Sequence, residues 1–284
     1  MPISPIFEFQ ADEKTKAIYQ QIKQAFSVSK PPIFFCYLAP FYEYFSYITD
    51  QIVNNLNNEK FIKIINETKG LIFKLIKDNL TKSDETNEFL NRFKHSSQFF
   101  YFQRDLEKIF ETNLKLAFIF IALREAVKGW AVAAKKIGAK IESSSFSSKS
   151  KIDEEECIFD INEVTGLKKQ TKTKQKDFQS FSNTIIKASF SAIEKDLLSY
   201  YLQLCRNDFY LLIKKEEYVF IRLEIEKIII RFLNLLPELI ISPVNLVIEM
   251  TKKYENYPDL LYLLSEHFPT LVIQRLMFSG YIKE

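Results

Sequence analysis

With 284 residues, of which 27 are Phe and 14 Tyr against only 5 Gly and 9 Pro, the chain has too few turn-formers for a β-sandwich or a glycine-dependent nucleotide fold. At this length a chain buries roughly three quarters of its unfolded surface, enough for one large or two modest domains. The net charge of +3, with Lys and Arg nearly balanced by Asp and Glu, gives no field to gather nucleic acid or an anionic membrane, so neither is expected as a partner.

The elements predict an all-α protein. Ala11 to Phe26 reads as a first amphipathic helix with Ile18, Tyr19, Ile22 and Phe26 on its apolar side and Asp12 and Glu13 at its positive end. Pro31 and Pro32 suit the opening turn of the next helix, which is expected to run to about Leu56. Asn57 and Asn58 form a turn into Glu59 to Asn79, where Phe61, Ile64, Ile65, Thr68, Leu71, Ile72 and Leu75 recur at helical spacing. Ser83 and Asp84 are candidate N-caps for the helix after that. Asn87 to Phe102, Asp105 to Glu111 and Asn113 to Val132 are expected as three helices, the last apolar on nearly every face and so central.

From Glu142 to Lys176 the composition turns serine-rich and charged, with a strand-like piece at Cys157 to Val164 and a basic run from Lys168 to Lys176. Such a segment cannot bury enough apolar area to offset its ordering entropy and is expected as a partly mobile linker. Helices resume at Asp177 to Lys187, Ser189 to Ile213 and Glu216 to Leu236, in the last of which Tyr218, Ile221, Leu223, Ile225, Ile228, Ile229 and Phe232 should pack inward. Val244 to Tyr254, Tyr257 to Phe268 and Thr270 to Ser279 complete the chain.

The second half carries a degenerate copy of the first. Laying Phe61 over Tyr218, an offset of 157 residues, also pairs Phe41 with Leu198, Tyr44 with Tyr201, Ile64 with Ile221 and Ile119 with Leu276, without a gap. Any two amphipathic helices align in some register. The shared order of helix, break, helix and later helix favours duplication. The expected organisation is helical repeat 1 over residues 1–141, a polar linker over 142–176 and helical repeat 2 over 177–284, the repeats packed as an intramolecular pseudo-dimer.

Self-contained chemical motifs are absent: there is no phosphate-loop, GxGxxG, GxSxG, HExxH or CxxC pattern. Cys36, Cys157 and Cys205 have neither metal nor redox spacing, and His95 and His267 are the only histidines, so no metal and no cofactor are expected. Free cysteines inside apolar runs fit a reducing cytoplasm. The amino-terminal MPISPIFEFQADEK lacks a basic flank and apolar core, and no apolar run reaches spanning length, so neither a signal peptide nor a transmembrane helix is expected.

The stretch LAPFYEYFSYITDQIVNNL at Leu38 to Leu56, followed by a second long helix, and ETNLKLAFIFIALREAVKG at Glu111 to Gly129 resemble the repeat unit of the group I 2-haloacid dehalogenases of the DehI type. That resemblance covers most of both halves. It implies an all-α pseudo-dimer that removes halide from a 2-halocarboxylic acid, a carboxylate of the second repeat activating water to attack carbon directly, with no metal or organic cofactor. The partner implied is a small-molecule carboxylic acid bound between the repeats, and a homodimer is compatible with the pattern.

The sequence departs from the family at the catalytic position, where the 157-residue register places Ser191, preceded by Phe190, instead of an aspartate. Neither half-motif contains tryptophan. Glu194 and Asp196, about one turn further on, are then the candidate catalytic carboxylates; their competing role is that of first-turn acids stabilised by the helix dipole. Ser191, Asn207, Phe41 and Tyr44 are the candidate substrate-binding residues, Asn207 as a water-orienting amide. The alternative function is a non-catalytic helical module that binds an apolar ligand or a partner chain in an aromatic cleft between repeats.

Overall fold

The computed structural model describes residues 3–138 and 192–283, with backbone alone at 130–138 and 192–196. All regular structure among these residues is helical. The elements are α1 (Glu13–Phe26), α2 (Ile33–Leu38), α3 (Tyr42–Leu56), α4 (Glu59–Asn79), α5 (Asp84–Phe93), α6 (Ser97–Gly138), α7 (Ala192–Leu212), α8 (Glu216–Leu233), α9 (Val244–Lys253), α10 (Tyr257–Tyr262) and α11 (Phe268–Ile282). The polar linker, its strand-like piece at Cys157 to Val164 and the helix expected at Asp177 to Lys187 lie outside the described residues.

Several boundaries arise from local chemistry. The carboxylate of Asp12 accepts the Thr15 N–H at 2.8 Å and caps α1; Asn58 and Ser83 cap α4 and α5 in the same way. Ser27, at φ 56°, ends α1 in the left-handed region, returning its own N–H to Gln24 and that of Val28 to Lys23.

Four sequence expectations are corrected, the first being the helix expected over Asn87 to Phe102, which is divided between α5 and α6 by the turn at 94–96. The helix expected from Pro31 to Leu56 divides into α2 and α3 at Pro40, which has no N–H to give to the carbonyl of Cys36. That carbonyl instead accepts the Ile6 N–H at 2.9 Å, so the break also fastens the amino-terminal segment. Asp105 to Glu111 and Asn113 to Val132 belong to one 42-residue helix, α6, because nothing between them interrupts the backbone ladder. Finally, Leu71 and Leu223 face outward, 55% and 43% exposed. On α8 the residues packed inward are Tyr218, Ile221, Ile225, Ile229 and Leu233, a line from which Leu223 is turned well away.

At the centre, α6 packs against α11, which is buried at nearly every position from Phe268 to Ile282. Pro269 does not break this last rod. A π-turn at Leu263–His267 precedes it, with the Phe268 N–H reaching back to Leu263, and so joins α10 to α11. Their approach leaves no room for a side chain at Gly280, where a Cβ would lie 2.8 Å from Ile76 Cδ1 and 3.0 Å from Phe110 Cε2.

Around this pair the contacts run in reciprocal sets. Helix α4 packs on α8, α5 on α7, and α9 on α3; α8 also touches α6 as α4 touches α11. Two connections are held by side chains 157 residues apart. Gln51 of α3 accepts the Ile241 N–H at 2.8 Å and donates to the Ile241 carbonyl at 3.2 Å, just before α9. Asp208 of α7 accepts the Ser83 N–H at 2.9 Å, just before α5. Asn55, fully buried, adds a second clamp on the first of these connections, donating to the Glu238 carbonyl at 2.9 Å and accepting its N–H at 3.2 Å.

Asn55→Ala leaves both backbone groups of Glu238 without their partner, and we expect it to lower the unfolding free energy in urea by about 1–3 kcal/mol. Asp208 gives a pH signature. Burial opposes its ionisation, but hydrogen bonds from Ser83, Thr86 and Tyr281 outweigh this and hold its carboxyl below the ordinary value. A lowered folded-state pKa adds stability above the unfolded value of about 3.9 and loses it as pH falls through the folded value. The stability gap between the native chain and Asp208→Asn should therefore be constant at neutral pH and shrink below about pH 4, as read from urea curves at a series of pH values.

Candidate functional site

The centre where α2, α6 and α11 meet combines an aromatic wall with two buried polar side chains. Phe34 of α2, Phe120 of α6 and Phe268 of α11 form a triangle with ring centroids 5.0, 5.3 and 5.6 Å apart. Such offset and edge-on contacts favour a fixed arrangement of rings. The Arg275 guanidinium lies over Phe34, 5.3 Å from its centroid, and only 4% of Arg275 is exposed. Across the seam the Asn113 side-chain amide donates to the Arg275 carbonyl at 3.4 Å. A cation and an amide from facing central helices, against an aromatic wall, suit a small anion better than they suit an apolar ligand.

Another side of α6 carries an ion network. Glu111 pairs with Lys115 at 2.8 Å and Lys69 at 3.6 Å, while Glu107 pairs with Lys69 and Lys283. Burial raises the cost of ionising both carboxyls, but the lysines outweigh it and hold each below the usual carboxylate range. Glu43, hydrogen-bonded by Lys253 and Tyr254, is held low as well. Carboxylates held low in this way are weak bases. None of these three groups is therefore poised as a base.

Glu194 falls in the first turn of α7 and Asp196 just beyond it, by backbone position; their side chains, and Ser191 altogether, lie outside the described residues. Asn207 is exposed on α7, where bulk water competes for its amide. Phe41 and Tyr44 are fully buried, edge-on to Tyr257, with Phe41 also edge-on to Tyr254. The Tyr44 oxygen accepts from Ser242 at 3.3 Å. These two residues meet each other through Tyr257; no described contact brings them to Asn207.

Asn113 and Arg275 escaped sequence reasoning although a signal was present. Each is a polar residue inside a run that is apolar on nearly every face, ETNLKLAFIF and LVIQRLMF, where an unpaired polar group would be costly. Among the described residues no cluster of three or more His, Cys, Asp and Glu side chains could hold a metal, and no helix is long and apolar enough to cross a membrane.

No family model and no curated protein sequence matches the chain. Two solved structures do. A D-2-haloacid dehalogenase mutant in complex with D-2-CPA is 13% identical, with a TM-score of 0.66. A D-2-haloacid dehalogenase in complex with L-LA is 14% identical, with a TM-score of 0.64. Each comparison covers 99% of this chain and 95% of the other. The chain has the fold of those enzymes.

Thiol chemistry gives a separate check on the site. Burial pushes the Cys205 thiol up to about 12, and Cys36 is 2% exposed, so neither is an activated nucleophile. We expect iodoacetamide at pH 8 to leave both unmodified in the folded protein and to label both in urea, as read by peptide mass mapping.

Proposed function

We propose that the chain is a dehalogenase-like hydrolase that acts on a short substituted carboxylic acid by direct attack of water. The observation that carries this reading is the fold shared from end to end with D-2-haloacid dehalogenases, a likeness that covers the whole architecture and not one helical hairpin. The central seam supports it, because Arg275 offers a charge for the substrate carboxylate and Asn113 an amide that can hold water. In the reaction, water oxygen bonds to the carbon bearing the halogen as the carbon–halogen bond breaks. The halide leaves with the bonding pair, and the proton passes to a carboxylate. The products are a hydroxy acid of inverted configuration and halide.

The base on this reading is Asp196 or Glu194. Glu194 lies in the first turn of α7 and Asp196 just beyond it, and the two stand as alternatives. The scaffold reading that accompanies it is duplication into two halves about a pseudo-two-fold axis. Its support is the reciprocal helix packing and the matched duties of Gln51 and Asp208.

Ser191 at the register position of the family's aspartate favours a second reading, the non-catalytic helical module that binds its ligand or partner between the halves. Halide release from D- and L-2-chloropropionate separates the two. Turnover of one enantiomer, reduced about 100-fold or more by Asp196→Asn or by Glu194→Gln and by a similar factor on Asn113→Ala, is the outcome expected of the hydrolase. Absence of turnover over a panel of 2-chloro, 2-bromo and longer 2-haloacids overturns the hydrolase and leaves the binding module.

A further inference from the structure

The seam that holds Arg275 is closed to water. Phe34, Phe120 and Phe268 are 1%, 0% and 2% exposed, and Arg275 is hardly more open. An acid can reach the cation only if one of the three rings moves, and the backbone decides which. Phe120 stands within the long α6, in an uninterrupted ladder between buried neighbours. Phe34 belongs to α2, which Phe35 packs against Phe26, Phe45 and Phe120 and which the Ile6 N–H fastens at the Cys36 carbonyl.

Phe268 is held differently, between two breaks in the helical hydrogen-bond ladder. On its amino-terminal side is the π-turn Leu263–His267, across which its N–H reaches back to Leu263. On the other side is Pro269, which has no N–H to donate and whose ring a regular α-helix would drive into the carbonyl four residues back, that of Ser265. The two features have one cause, since a turn widened by one residue gives the proline room and leaves the ladder short of a bond. Phe268 is also a corner of the triangle with solvent close by. Its ring lies 5.8 Å from that of Tyr37 and 6.4 Å from that of His267, both partly exposed, and Glu266 beside them is exposed.

We propose that Phe268 is the gate of the seam, its ring swinging outward as the π-turn and the first turn of α11 loosen together, and that the gap so opened selects acids by size. What passes the gate rests on the hydrolase reading; the gate itself rests on the backbone. The far end of α11 stays in place, because Gly280 lies against Ile76 and Phe110. A site that is open for a fraction of the time binds its ligand more weakly by that fraction, so the hinge governs kcat/KM without touching the reacting atoms.

Hydrogen exchange of the full chain, read by mass spectrometry on peptides covering α11, tests the gate without any substrate. Amides from Leu264 to Leu271 are expected to exchange about 100-fold or more faster than those from Ile273 to Ser279. Pro269→Ala, which supplies the missing donor, should slow the first group about 10-fold with unchanged helical circular dichroism. Turnover tests the filter. The native chain should show a kcat/KM for 2-chloropropionate about 10-fold or more above that for 2-chlorohexanoate, Phe268→Leu should narrow this ratio, and Pro269→Ala should lower kcat/KM for both acids by one common factor. A first turn as protected as the centre of α11, exchange unmoved by Pro269→Ala, or a chain-length ratio unmoved by Phe268→Leu would each overturn the gate. Absence of all turnover overturns the hydrolase reading instead, and exchange alone then decides the gate.

Discussion

The mutual burial of α6 and α11 is the constraint to which the other helices answer. From Thr112 to Arg124 α6 is buried at every position but Lys115, and α11 is buried at nearly every position, so neither of these stretches can lie at a surface. Two such rods cannot enclose each other. The remaining helices form the wall, and most of them are amphipathic because a wall has an inside and an outside. The close approach at Gly280 shows how little slack the arrangement has, with Ile76 of α4 and Phe110 of α6 within contact of its backbone. A packed interior of this kind transmits any misfit instead of absorbing it.

Enclosure also explains why polar side chains inside the molecule work on backbone. Buried Asn55 and Gln51 each grip both the N–H and the carbonyl of a connection residue, at Glu238 and Ile241. The segment between α8 and α9 crosses the inner side of α3, and its peptide groups would otherwise lie dry and unpaired. Asp208 serves the connection before α5, where its carboxylate accepts the Ser83 N–H.

The helical class and most of the core were legible in the sequence because the period of 3.6 is imposed by geometry and leaves its mark in every amphipathic helix. Direction was less legible than period. Leu71 and Leu223 are apolar, sit among apolar neighbours and still point outward, because which flank of a broad stripe is covered depends on the helix that arrives there. Pro40 was visible as a residue, but its consequence depended on Ile6, thirty-four positions away, offering its N–H to the carbonyl the proline had freed. Of the site, the aromatic richness was readable and the pairing of Asn113 with Arg275 was not, since no local rule links position 113 to position 275.

The charges divide the molecule into a part that holds and a part that can act. At Glu107, Glu111 and Glu43 the neighbouring lysines outweigh the cost of burial, and the result is a carboxylate stabilised in its ionised form. That is the condition for a structural ion pair and the opposite of the condition for a base, whose proton affinity must rise towards the working pH. Arg275 stands differently, sealed against Phe34 in the seam, where a cation interacts with an anion far more strongly than it does in water. The lysines of the network thus hold carboxylates on the partly exposed side of α6, while Arg275 is sealed inside.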